Sequence, residues 1–148
     1  MDWKKPVDDL TDGEIRLALT RTCEADPEKQ WLPAYYFDIC LMDGTVVGYC
    51  DLRIGLNAKV YIGGNLGYGI AEEYRGHHYA EKATRLLMKQ ARKHDMDFLF
   101  ASCVPGNEAS RRTLECAGFH CLETAAVPKS HNMYEEGKHW VLIHRIDL

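Results

Sequence analysis

Two stretches of this chain carry residues whose types and spacing could do chemistry. The first, Tyr68-Gly-Ile-Ala-Glu-Glu-Tyr-Arg75-Gly-His-His-Tyr-Ala80, runs from a short apolar strand through a glycine turn into an amphipathic helix. The first turn of a helix presents backbone N–H groups with no intrahelical acceptor, and the macrodipole adds roughly half a positive charge there. Gly76, His77, His78, Tyr79, Ala80 and Glu81 would therefore seat a phosphate, with Arg75 adding positive potential. The second stretch, Asn107 to Phe119, opens on a residue suited to cap a helix and carries a hydroxyl at Ser110. The adjacent pair His77-His78 does not make a metal site, because neighbouring residues at a helix start diverge and no third ligand is suitably spaced.

These stretches need elements to hold them. Helical spacing of Ile15, Leu17, Ala18 and Leu19 predicts a helix over Asp12 to Cys23, capped by Asp9 or Thr11. Two β-rich runs, Tyr35–Met42 and Val46–Ile54, flank Asp43-Gly44 and predict an antiparallel hairpin. A glycine-rich interval surrounds Val60–Ile62 and Leu66–Ile70, read as a third hairpin-like return whose last strand feeds the anion turn. From Tyr79 to about His94 an apolar stripe of Ala80, Ala83, Leu87 and Ala91 predicts a helix. Asp97–Val104 reads as a buried strand, so strand, helix and strand make a right-handed parallel crossover. A helix over Glu108–Cys116 follows, ended by Gly118, then a strand over His120–Val127, a polar loop over Pro128–Lys138 and a last strand from His139. The class is α+β, or mixed α/β: a mostly antiparallel sheet of about six to seven strands with helices against it.

Length and composition narrow the function. The 148 residues, 46% hydrophobic, suit a single domain over 1–148. Eighteen basic against 22 acidic residues, with no run of five basic ones, argue against nucleic acid as partner. No window approaches the apolar length that spans a bilayer, and the N-terminus lacks a signal peptide's apolar core, so a cytoplasmic protein with no membrane partner is expected. Six cysteines without a Cys-x-x-Cys pair predict free thiols rather than disulfides or zinc ligands. A dinucleotide fingerprint fails, since Glu72 stands where Gly67-x-Gly69 would need a third glycine.

Together the two stretches resemble the GNAT superfamily of acyl-CoA-dependent N-acetyltransferases, over about residues 66 to 127. The family's pyrophosphate turn begins with Arg or Gln and ends in Gly or Ala; Arg75 and Ala80 match it, and His78 stands where glycine is expected. The Asn107, Ser110, Leu114 and Gly118-Phe119 spacing, with Gly67-Tyr68 before the turn, is similar to the branch that acetylates ribosomal-protein N-termini.

The resemblance implies acetyl-CoA as co-substrate, no metal, and acetyl transfer to a primary amine of a small molecule, peptide or protein N-terminus by direct attack in a ternary complex. The strand Leu66, Gly67, Tyr68, Gly69 and Ile70 would line the arm of the cofactor and offer an N–H to the developing oxyanion. Asn107, Ser110 and Arg111 would hold the arm from the later helix. The splay of two strands would admit it. The family's strand carboxylate is missing, so the base is Glu72, Glu73, His131, Tyr134 or, ranked first, water held by Tyr68 and Asn65, with His131 second. The helix tyrosine that protonates the thiolate is replaced by Leu114, leaving Ser110 as substitute. His78 is expected in ordinary helical φ with its ring beside a phosphate oxygen. The acceptor would be chosen by residues 21–36 and 128–138, and the chain would act as a monomer or homodimer. The alternative is an acyl-CoA-binding module without catalysis.

Overall fold

A computed structural model describes residues 2–4 and 9–148. Four strands, β1 (Ile15–Cys23), β2 (Ala34–Leu41), β3 (Val46–Arg53) and β4 (Leu66–Ile70), pair antiparallel in chain order. The short helix α1 (Ala58–Gly63) interrupts β3 and β4. Helix α2 (Tyr79–Arg92) leads to a second antiparallel sheet of β5 (Phe98–Cys103), β6 (His120–Ala126) and β7 (Trp140–Asp147), ordered β5-β7-β6. Helix α3 (Glu108–Cys116) follows β5, and α4 (Asn132–Glu135) is one turn within the loop before β7.

The segment expected to be a helix over Asp12–Cys23 is strand β1. Asp12 Oδ1 does accept the Glu14 and Ile15 N–H groups, both at 2.9 Å, as a helix cap would. Those bonds close a turn instead, because Ile15, Leu17 and Leu19 alternate as well as they spiral and the whole segment pairs with β2. Val60–Ile62, read as a strand, belongs to α1. Asn57 Oδ1 accepts the Val60 N–H at 2.8 Å, and this cap outweighs the β preference of Val60 and Ile62.

The hairpin about Asp43-Gly44 forms as its turn residues demand, Gly44 standing at φ +94 with its N–H on Leu41 O at 2.9 Å. Helix α2 buries Ala83, Leu87 and Ala91 completely against the β1–β4 sheet, among Ile15, Phe37, Val47 and Leu52. Truncating a side chain such as Leu87 would cost about 2–5 kcal/mol. Helix α3 ends in a Schellman motif: Gly118 at φ +104 gives its N–H to Glu115 O, and the Phe119 N–H reaches Leu114 O at 2.9 Å.

The strands on either side of α2, β4 and β5, lie in different sheets and share no ladder. Hydrogen bonds join them just before β4 begins. Asn65, 1% exposed, gives its backbone N–H to Phe100 O at 2.7 Å and accepts the Phe100 N–H on Oδ1 at 2.9 Å. Its Nδ2 donates to Arg53 O and Gly55 O at 3.0 and 2.9 Å. One amide thus ties β3 and β5 to the start of β4, and beyond it the two sheets open apart.

Candidate active site

Helix α2 starts at Tyr79, where its spacing predicts. The first helical bond runs from the Lys82 N–H to His78 O, leaving the N–H groups of Tyr79, Ala80 and Glu81 without backbone acceptors among the described residues. Arg75 to His78 are exposed, so this turn opens to solvent. The backbone leaves Arg75 extended, turns at Gly76 with φ +92, and enters the helix through His78 at φ 61, ψ 25. His78 therefore takes the left-handed conformation of a glycine rather than the helical φ expected of it. The turn geometry requires that conformation, at a cost of about 1–2 kcal/mol for a side chain with Cβ. Its imidazole makes no cap bond. The His77 ring instead stacks on Tyr79, centroids 5.2 Å apart. Glu81 faces Arg85 at 3.6 Å, and the Arg75 Nε–H folds back onto Ile70 O at 3.2 Å.

The opening between β4 and β5 continues into a cavity of about 780 Å³ walled by β1 to β5, α1, α3 and the loop around α4. Along β4, Ala71 donates to Val47 O at 2.9 Å, and strand alternation then turns the backbone groups of Leu66, Tyr68 and Ile70 away from β3, toward the opening. No bulge is needed: the β3–β4 register is continuous from Gly48↔Ile70 to Leu52↔Leu66.

At the junction of opening and cavity the Tyr68 hydroxyl lies 3.0 Å from Ser110 Oγ and 3.4 Å from Ser110 O. Burial pushes the Tyr68 phenol upward, and its bond to Ser110 opposes that shift. The two hydroxyl residues singled out in the sequence, 42 positions apart, are thus hydrogen-bonded partners. Leu114, 1% exposed, packs one turn beyond Ser110. Asn107 caps α3, accepting the Ser110 N–H on Oδ1 at 3.2 Å and keeping Nδ2 for another acceptor. Arg111 is held along the surface of α3 by Glu108 and by Glu115 at 2.8 Å, which raise its pKa further, and it stays outside the cavity wall.

The base candidates fare differently. His131 is 7% exposed in the cavity wall, but both ring nitrogens are engaged: Nδ1 accepts the Met133 N–H and Nε2 faces Lys59 O, each at 3.1 Å. With Nδ1 accepting an N–H and Nε2 facing a carbonyl, to which it can only donate, no lone pair remains for an amine proton. Tyr134 stacks on His139 at 4.4 Å and does not line the cavity. Glu72 and Glu73 lie exposed on a turn after β4, also off the cavity. Asn65 is 1% exposed, with both Nδ2 hydrogens and Oδ1 engaged at the vertex, so burial keeps its side chain from water in the cavity.

Two carboxylates line the cavity, Glu24 and Asp51, and the one beside β4 is Asp51, which sequence reasoning passed over. It sits on β3 directly opposite Gly67. A Cβ on Gly67 would stand 3.2 Å from Asp51 Oδ2, so the absence of a side chain there makes room for the acid. Asp51 Oδ1 takes the Arg53 Nη1 at 2.7 Å. The signal was the alternation of Tyr49-Cys50-Asp51-Leu52-Arg53: Cys50 and Leu52 are buried in the core, which turns Asp51 and Arg53 to the opposite face. Among the described residues no group of three His, Cys, Asp or Glu side chains could hold a metal, and no helix is long and apolar enough to cross a membrane. All six cysteines are unpaired.

Comparison with known proteins agrees with this geometry. A family model described as an acetyltransferase (GNAT) domain matches residues 1–120. No curated protein matches the chain. Among solved structures it resembles a probable acetyltransferase, at 24% identity and TM-score 0.61, over 77% of this chain and 61% of the other. It also resembles RimL, a ribosomal L7/L12 alpha-N-protein acetyltransferase solved with coenzyme A, at 13% identity and TM-score 0.65, over 94% and 96% of the two chains. A third is the spermidine N-acetyltransferase of Vibrio cholerae, solved with CoA and spermine, at 13% identity and TM-score 0.59, over 77% and 65%. The chain spans less than two thirds of the length of the first and third of these. With most of its length covered by the family model, and an α+β fold shared with these structures, this chain belongs to the GNAT acetyltransferase domain family.

Proposed function

We propose that this protein transfers an acetyl group from acetyl-CoA to a primary amine by direct attack in a ternary complex. One observation carries the reading: the chain runs from β4, whose Tyr68 hydroxyl meets Ser110 at the cavity wall, directly into the start of α2, where the N–H groups of Tyr79, Ala80 and Glu81 have no backbone acceptor among the described residues. The residues fit the donor. The N–H groups of Tyr79, Ala80 and Glu81 would bind the diphosphate without a metal, helped by the dipole of a 14-residue helix. The open edge of β4 and Asn107 Nδ2 would pair with the amide arm. Acetyl-CoA, when bound, supplies the acetyl group as a thioester.

The chain's own groups do the rest. The Tyr68 N–H, turned to the opening, offers a donor to negative charge on the thioester oxygen. The Tyr68 and Ser110 hydroxyls hold a proton for the departing thiolate, a leaving group of ordinary pKa about 8.5. The incoming ammonium loses its proton to water beside Asp51, because the Asn65 amide is buried and not basic and the His131 Nδ1 lone pair is taken by the Met133 N–H.

A second reading, an acyl-CoA-binding module without turnover, draws on Leu114, an apolar side chain where many members of the family carry a tyrosine. Thiol release from acetyl-CoA against an amine panel, run beside CoA titration, separates the two. Turnover that depends on the amine supports acetyl transfer. Tight CoA binding with no thiol released on any amine would favour the module.

A further inference from the structure

The acceptor side of the cavity carries a row of side chains that runs straight across four strands. Arg21 pairs in register with Tyr36, Tyr36 with Asp51, and Asp51 with Gly67. Arg21 stands in this row because of a fault in the ladder. Along β1, Ile15, Leu17 and Leu19 alternate on the side of Leu41, Ile39 and Phe37, and an unbroken strand would carry Arg21 to that same side. The register shifts between Leu19 and Arg21 instead, with the Thr20 hydroxyl bonded to Tyr36 O at 3.0 Å. That extra residue re-aims Arg21 to the cavity face, where its guanidinium lies 3.8 Å from the Tyr36 ring centroid.

The charges around the cavity are unequal. Arg21, Arg53, Lys59 and Lys138 face it against Glu24 and Asp51. Arg53 is committed to Asp51 at 2.7 Å and Lys138 to Glu136 at 3.2 Å. Among the described residues no ion pair engages Arg21 or Lys59. Neighbouring strands lie about 4.8 Å apart, so Arg21 and Asp51 stand roughly 10 Å apart along the row, less where the guanidinium leans over Tyr36.

We propose that the acceptor is an amine that also bears an anionic group, its ammonium against Asp51 beside Gly67 and its carboxylate or phosphate on Arg21 over Tyr36, separated by several single bonds. This rests on the acetyl-transfer reading only for the position of the thioester. A diamine of the same length fits poorly, since its second ammonium would meet Arg21 instead of an acid. Neither group pairs with the acceptor through a motif: one comes from a bulge, the other from a glycine left bare.

The test titrates the whole chain, saturated with CoA at low salt, with three amines of one length: 5-aminopentanoate, pentylamine and 1,5-diaminopentane. Low salt matters because Arg21 is exposed and its field is screened. The expected order is 5-aminopentanoate first, at least about tenfold tighter than the diamine, the scale of one charge-assisted contact. Arg21→Glu should invert that order, while Arg21→Gln should bring the amino acid level with pentylamine. Replacing 5-aminopentanoate with a phosphate-bearing amine of equal length distinguishes the two anion sources. Tightest binding of the diamine, an order unchanged in Arg21→Glu, or no binding of any of the three would overturn the proposal. If CoA itself fails to bind, the acetyl-transfer reading falls, and the order of the three amines is then read on the free chain.

Discussion

The two sides of the cavity, proposed here to take the donor and the acceptor, are built from different materials. On the donor side the groups that matter are main-chain N–H groups at the start of α2 and along the open edge of β4, with Asn107 and the Tyr68–Ser110 pair added. On the acceptor side they are side chains, Asp51, Arg21 and Tyr36, delivered by strand register and a bulge. A backbone seat tolerates almost any side chain, so different chains can share it and vary the other wall. The wall proposed for the acceptor changes with a single insertion or substitution, and such a wall is free to diverge in specificity.

The largest expected effect falls on the vertex that serves both sides. Asn65→Ala removes three buried side-chain hydrogen bonds and should cost about 3 kcal/mol or more in denaturant unfolding, with CoA and amine binding weakened together. Loss confined to one side would break the view that one amide sets the opening for both.

Next comes Tyr68→Phe, which keeps the ring and deletes the hydroxyl bonded to Ser110. Amine-dependent thiol release should fall about 100-fold in kcat while the CoA dissociation constant moves little. Loss of CoA affinity instead would make Tyr68 a packing residue of the donor wall.

A smaller change sharpens the donor side alone. His78→Gly should relieve the left-handed strain at φ 61 and stabilise the fold by about 1 kcal/mol, raising Tm by about 2–4 °C. CoA affinity should hold, because the seat is made of N–H groups and not of the imidazole. A large affinity loss in His78→Gly would return a phosphate contact to that ring.

The smallest effect lies outside both regions. His94, just past α2, pairs with the Tyr35 hydroxyl at 2.7 Å, and burial holds its pKa below the ordinary value. A histidine whose folded pKa is depressed contributes stability above its unfolded pKa of about 6.5, and that contribution is lost as pH falls toward the folded value. Thermal melts from about pH 7.5 to about pH 5.5 should therefore decline in the parent and decline less in His94→Gln. An unchanged decline would put the proton elsewhere.

Legibility in the sequence followed the same divide. The start of α2, the Asn107 cap, the Gly118 stop and the hairpin at Asp43-Gly44 are local devices, each written in a few adjacent residues, and the structure has them where the sequence places them. Long-range pairing was not written locally. Ile15 to Leu19 fits either period, and only β2 decides for a strand. Asp51 meets Gly67 because two strands align, and Tyr68 meets Ser110 across 42 positions. The His131 ring and the Asn65 amide look like chemistry in a sequence, yet each is consumed by backbone groups that only the fold brings near.

The most direct measurement is a two-dimensional amide spectrum of the whole chain recorded with and without CoA. The largest shifts should fall on the amides of Gly76 through Glu81 and on Tyr68, with those of Arg21 and Tyr36 nearly still until an amine is added. Shifts centred on the Arg21–Asp51 row, or none at the start of α2, would contradict a donor seated by that helix.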